Sequence, residues 1–283
     1  LALIAAPAVL AGGVVQINLL VGRQVASATE GAISWLVYAD RLYQLPLGVV
    51  GIAIGTVLLP DLSRRLRAGD AEGGRASFNR GTEFALAMTI PAAVALIVIA
   101  TALTQVLYQR GKFGAEDTHS VALALAIYGA GLPAFVLHKV LQPLFYARED
   151  SRSPFRYALI SMVVNVVLAV GLVGYIGFSA AAWATTLSAW VMVGQLWWGA
   201  RRLGEEARFD ARFLSRFWRI AAASALMGAV LWGGWALLEP MLEAKAYRIL
   251  ALAVLIALGM ASYALAALAL KAVRLADLKS LRR

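Results

Sequence analysis

The stretch GAISWLVYADRLYQLPLGVVGIAIGTVLLPDLSRR, residues 31–65, buries an arginine ten residues inside a long apolar run. The run is long enough to cross a bilayer, which takes about 20 mostly apolar residues. A guanidinium at that depth costs about 3 kcal/mol on insertion scales, so Arg41 must face a protein interior or a wet cavity. Ser34, Arg41, Gln44, Gly48, Gly51 and Gly55 share one helical face. The first half of that face is polar and the second half is glycine, which lets another helix or a substrate approach the backbone. Pro46 has no N–H and removes the bond to the Leu42 carbonyl, which predicts a kink just past Arg41. Arg41 has two readings. One is a salt bridge, to Asp40 or to a residue on another helix. The other is a contact to an anion, phosphate above all, which a guanidinium grips with two parallel hydrogen bonds. Successive residues point about 100° apart on a helix, so Asp40 is poorly placed to neutralise its neighbour.

Working outward, the same apolar character fills the chain. Of 283 residues, 61% are hydrophobic and 15% charged. That composition excludes a soluble enzyme, a disordered chain and a disulfide scaffold. There is no Cys, and His119 and His138 are the only histidines, so thiolate or histidine metal chemistry is not expected. Eight stretches can span a membrane, near 1–22, 31–59, 79–108, 119–147, 155–176, 179–200, 214–237 and 248–270. The expected fold class is therefore all-α and polytopic, with eight transmembrane helices. The 26 Lys and Arg against 16 Asp and Glu give a net charge of +10. Eighteen of these cations follow even-numbered stretches and five follow odd-numbered ones. Such a split places the even loops, and both ends of the segment, in the cytoplasm. Topology thus accounts for the charge, and no nucleic-acid partner is expected; membrane lipids are. Leu1 lies inside an apolar run with neither Met nor a basic n-region, which reads as a chain cut at a helix start rather than a signal peptide.

Other polar positions are milder. Gln16 and Asn18 in the first stretch, and Asn165 and Thr185 in the fifth and sixth, read as hydrogen bonds between helices. Lys139 could snorkel to the cytoplasmic face or line the same cavity as Arg41. His138 reads as a packed residue. The last two stretches hold no charge at their centres; with Trp218, Trp232 and Trp235 they suit lipid contact. Asp61, Asp70, Glu72 and Glu83 read as groups in or near a cytoplasmic loop, without metal-type spacing. No catalytic constellation, phosphate-binding loop or cofactor site is visible.

Four segments carry a resemblance. SWLVYADRLYQLPLGVVGIAIGTVLLPDLSRR (34–65), QINLLVGRQVAS (16–27), YQRGKF (108–113) and KVLQPLFYAREDSRSPFR (139–156) closely resemble signatures of the MurJ (MviN) lipid II flippases. That family belongs to the multidrug/oligosaccharidyl-lipid/polysaccharide (MOP) exporter superfamily. The resemblance implies two six-helix lobes followed by two further helices, with residues 1–200 as the second lobe and 201–283 as linker, last two helices and basic tail. It also implies that the first lobe of the same protein is missing from this chain. By the same resemblance the activity is translocation of lipid-linked peptidoglycan precursor, lipid II, from the inner to the outer leaflet of the bacterial cytoplasmic membrane. Arg41 matches a cavity arginine expected at the pyrophosphate, Asp40 its acidic neighbour and Ser34 a cavity-lining position; the last two helices would frame a lipid groove. The substrate-binding set expected is Arg41, Asp40, Ser34, Gln44 and Lys139, with Pro46, Gly48, Gly51 and Gly55 for hinge and packing. Some relatives bind sodium through carboxylates where Gly22 and Ala169 stand here. Asn165 and Thr185 would be only remnants of such a site, and the membrane potential is the simpler driving force. The alternatives are another exporter of the superfamily, for polysaccharide lipids or drugs, and a membrane-embedded lipid-sugar transferase. The latter would need a carboxylate pair or metal in the cavity.

Overall fold

A computed structural model describes residues 22, 24–27, 29–54, 59–204, 207–244 and 246–272. Nearly all of the first marked stretch, with Gln16 and Asn18, lies outside these residues, as do Gly55 and the cations from Arg274 onward. The described helices are α1 (Ala32–Ala53), α2 (Leu59–Arg67), α3 (Ala71–Val98), α4 (Ala100–Tyr108), α5 (Ala115–Tyr146), α6 (Arg152–Ile176), α7 (Ser179–Ala200), α8 (Ala211–Glu243) and α9 (Arg248–Ala269). Five of them, α3, α5, α6, α8 and α9, are long and apolar enough to cross a membrane. At 22 residues each, α1 and α7 reach about 33 Å and also suffice in length. This is the helix set of a multi-pass membrane protein, and its long helices coincide with seven of the eight stretches.

Three boundaries differ from expectation. The segment after α1 is a short amphipathic helix rather than a loop: α2 buries Leu62 completely while Arg64 and Arg67 face outward. The stretch near 79–108 is two helices. The chain leaves helical geometry at Ile99 (φ −110°, ψ 23°), within the β-branched run Ile97, Val98 and Ile99. Finally, α3 begins at Ala71 and α8 at Ala211, so Arg75, Arg80 and Arg216 are helix residues, not loop residues.

The bundle is organised around α5, which is largely buried and packs against α1, α3, α4 and α7. Small residues permit these approaches: at Gly129 an added Cβ would lie 3.3 Å from the Ala93 carbonyl oxygen on α3. In contrast, α6 lies at an edge, packed chiefly on α7 and exposing Val163, Val167 and Val170. The α6–α7 turn needs Gly177, whose φ of +59° disfavours any side chain. Asn165 donates to Thr185 (3.4 Å) and Ser188 (3.3 Å), while Ser161 donates to the Ser188 carbonyl (2.7 Å). Asn165 and Thr185 thus bind one another across α6 and α7.

On the opposite flank, α8 packs on α3, and α9 packs on α8. The last pair interlocks reciprocally. A Cβ at Gly259 would sit 2.9 Å from Leu231, and one at Gly234 would sit 2.9 Å from Leu258. Gly259→Val is therefore expected to cost about 1–3 kcal/mol. A lowered thermal midpoint in detergent checks this; an unchanged midpoint would show that the two helices do not pack this closely.

Loops sort to two ends of the bundle. After α5, Arg148 donates to the Leu203 carbonyl (2.7 Å), and at the start of α3, Arg75 donates to the Arg208 carbonyl (3.2 Å). The loops following the second, fourth and sixth stretches therefore meet. At the other end, Trp35 donates to Asp117 (2.7 Å) and Arg248 donates to the Gln109 carbonyl (3.1 Å).

At the cation-rich end, Asp61 of α2 accepts from Ser77, Arg64 (2.7 Å) and Arg65 (2.9 Å). Ser77 first, and then the two arginines, hold its carboxyl below the ordinary 3.8, at about 2. A depressed carboxylate stabilises the fold above its ordinary pKa and loses that contribution as pH falls through the folded value. Asp61→Asn should therefore lower thermal stability at neutral pH, and the gap to the unsubstituted protein should narrow below pH 3.8 and close at about 2. Parallel melts across pH read this directly; a gap that persists at the lowest pH would contradict it.

Candidate functional site

The buried side of α1 is set by Ala32, Trp35, Ala39, Leu42 and Val50, which pack into the bundle. Trp35 anchors the start of the helix through Asp117, whose other carboxyl oxygen accepts from the Gly114 N–H (2.8 Å) and caps α5. Tyr43 packs against Tyr128 (5.0 Å) and Phe135 (5.4 Å) on α5. These contacts fix the rotation of α1. They turn Ser34, Arg41, Gln44 and Gly48 away from the bundle, and all four are exposed.

Asp40 forms no ion pair with Arg41, although the two charges attract from adjacent positions. Its carboxylate accepts from Gln44, one turn along the same helix, and from the Tyr43 hydroxyl. Gln44 is thereby held by Asp40 rather than left free to meet a ligand. Among the described residues no carboxylate forms an ion pair with Arg41, and its electrostatic neighbours are Asp40 and Tyr108. Of the two partners that reading allowed, Asp40 is engaged by Gln44, and no described residue of another helix pairs with Arg41.

Pro46 sits within α1 without ending it, and the helix runs on to Ala53. Gly48 has nothing within 4 Å of an added Cβ, so that part of the face is open. At Gly51 a Cβ would meet the Lys139 Nζ at 3.2 Å. Lys139 therefore lies on the same face of α1 as Arg41, ten residues further along, or about 15 Å at helical rise. The face carries two cations at different depths rather than one cluster. His138 is half-buried on α5.

A second polar centre was not expected. Glu83, read as a loop acid, is buried on α3 and bonds the buried Arg216 of α8 at 2.9 Å. Arg212 (3.5 Å) and Arg80 (3.6 Å) stand around the same carboxylate. Arg80 also reaches Asp210 (3.1 Å), which caps α8 through the Phe213 N–H (2.6 Å). The linker is clamped onto α3, where Asn79 donates to the Arg208 carbonyl (3.0 Å) and accepts from the Asp210 N–H (3.0 Å). The available signal was that Glu83 and Arg216 both open long apolar runs.

What the α1 face can do chemically is bind an anion. It offers an exposed guanidinium, open backbone at Gly48 and an ammonium further along. Among the described residues no group of three or more His, Asp or Glu could hold a metal ion.

Residues 2–258 match the family model described as "Lipid II flippase MurJ". The chain is 48% identical over 232 residues to the probable lipid II flippase MurJ of Rhizobium meliloti, covering 82% of this chain and 43% of that protein. It is 40% identical over 278 residues to the probable lipid II flippase MurJ of Vibrio cholerae, covering 97% of this chain and 52% of the relative. A solved lipid II flippase MurJ in an inward closed conformation superposes with a TM-score of 0.75 at 25% identity, over 91% of this chain and 51% of that one. The chain thus spans about half the length of the relatives it matches. On the family match and these identities, the chain belongs to the MurJ lipid II flippase family.

Proposed function

We propose that residues 1–200 form the second lobe, and 201–283 the linker, last two helices and tail, of a flippase that carries lipid II from the inner to the outer leaflet of the bacterial cytoplasmic membrane. Arg41 holds the pyrophosphate, and the α1 face forms one wall of a central cavity. A first lobe of the kind expected in the other half of the relatives forms the opposite wall. The observation that carries this reading is the exposed Arg41 with no carboxylate partner among the described residues. A guanidinium inside a span with no ion pair among the described residues is costly, and an anionic cargo is what offsets that cost.

The sorting of loops supports the orientation. The cation-rich end, with Arg64, Arg148 and Arg208, is cytoplasmic, and both ends of the segment lie on that side. Lys139 then meets the pyrophosphate nearer the cytoplasm, and Arg41 meets it deeper in. The lobes rock around this site in alternating access. Gly48 and Gly51 give the cargo or the opposing lobe room beside α1. No bond is made or broken in the cargo, so the activity is transport rather than catalysis. The exposed apolar faces of α8 and α9 border the path of the prenyl tail.

Depleting a bacterium of its own lipid II flippase and supplying the whole protein tests this. Restored growth and cell shape are expected. Lysis despite normal protein level would overturn the reading.

A further inference from the structure

Tyr38, Tyr108 and Phe113 form a ring cluster that the account above leaves unused. Tyr38 of α1 lies 4.7 Å from Tyr108 at the end of α4 and 5.6 Å from Phe113. Tyr108 and Phe113 are 6.0 Å apart, brought together by a turn in which Gly111 takes a φ of +61°. We propose that this cluster is a stacking subsite for the sugar ring joined to the pyrophosphate held by Arg41; the inference rests on that role of Arg41.

Three observations support it. The first is exposure. Tyr43, the other tyrosine of α1, is packed between Tyr128 and Phe135, whereas Tyr38 keeps 37% of its surface open beside Arg41. The second is distance. Tyr38 and Arg41 are three residues apart on a helix, so their Cβ atoms lie about 5–6 Å apart. A sugar bonded directly to a phosphate cannot sit much further from it than that. The third is direction. The prenyl tail of an incoming lipid stays with the inner leaflet, so the sugars lead into the cavity beyond the phosphate. Tyr38 lies one turn beyond Arg41 on the side away from the cation-rich end, with the exposed Ser34 one turn beyond that. Aromatic faces carry negative charge density that attracts the polarised C–H groups of a pyranose. The Ser34 hydroxyl, and the Tyr108 hydroxyl as an acceptor while it donates to the Tyr38 carbonyl (3.5 Å), supply the few polar contacts that fix orientation in such sites. The YQRGKF turn, residues 108–113, thereby gains a role: it carries two of the three rings.

The test measures binding of lipid II and of undecaprenyl pyrophosphate, which lacks the sugars, to the whole protein in detergent. Tyr38→Ala should weaken lipid II binding about five- to tenfold and leave undecaprenyl pyrophosphate within about twofold. Tyr38→Phe, which keeps the ring, should bind both ligands as the unsubstituted protein does. Equal weakening for both ligands, or no change for either, would overturn the sugar subsite. Arg41→Ala should weaken both ligands. If it weakens neither while Tyr38→Ala remains selective, the pyrophosphate reading fails and the sugar contact stands.

Discussion

Arg41→Ala in the whole protein should lower affinity for lipid II by at least about tenfold, with normal folding and membrane level. Two features make this the largest functional effect in the chain. Among the described residues no carboxylate forms an ion pair with the guanidinium, because Asp40 is bonded to Gln44 and Tyr43. It also lies on a face rotated out of the bundle, so its loss opens no hole in the packed core. Arg41→Lys should recover only part of the affinity, since an ammonium keeps the charge but loses the planar fork. Binding of labelled lipid II measures both substitutions. A drop in thermal stability with unchanged affinity would instead identify Arg41 as a structural residue.

Glu83→Gln should give the largest loss of stability. Glu83 and Arg216 are both buried, and their 2.9 Å bond joins α3 to α8. Glu83 is the anion that Arg216, Arg212 and Arg80 surround, so neutralising it removes the charge that balances them, and breaking a buried pair costs about 3–5 kcal/mol. Arg212 and Arg80 are more exposed than Arg216 but stand around the same carboxylate and lose its charge too. The double substitution Glu83→Leu with Arg216→Leu should recover much of it, because well-packed apolar residues often replace a buried pair without penalty. Thermal unfolding of the single and double variants in detergent checks this. A double variant that is worse than either single would show that the pair does more than neutralise itself.

The transmembrane helices were legible because a bilayer demands about 20 apolar residues in a row, and the chain spells this out. The pattern did not reveal helix ends that extend past the apolar core. Arg75, Arg80 and Arg216 look like loop cations in a hydropathy profile, yet they ride on continuous helices. Arg216 and Glu83 are 133 residues apart in the chain, and no local period links them. At the α1 face the arginine stood out by its depth in the span, and the structure leaves it exposed. The engagement of Gln44 by Asp40 was missed, although their spacing of four residues places them together on any helix. The ring cluster escaped because Tyr38 on α1 meets Tyr108 and Phe113 only through packing of segments 70 residues apart, and the turn at Gly111 is needed to pair the last two.

The most direct test of the central claim reconstitutes the whole protein in liposomes with labelled lipid II and measures how much of the lipid changes leaflet, for the unsubstituted protein and for Arg41→Ala. The structure predicts transfer by the unsubstituted protein and almost none by the variant at equal protein content. Equal transfer by the two would contradict the assignment of Arg41 to the pyrophosphate.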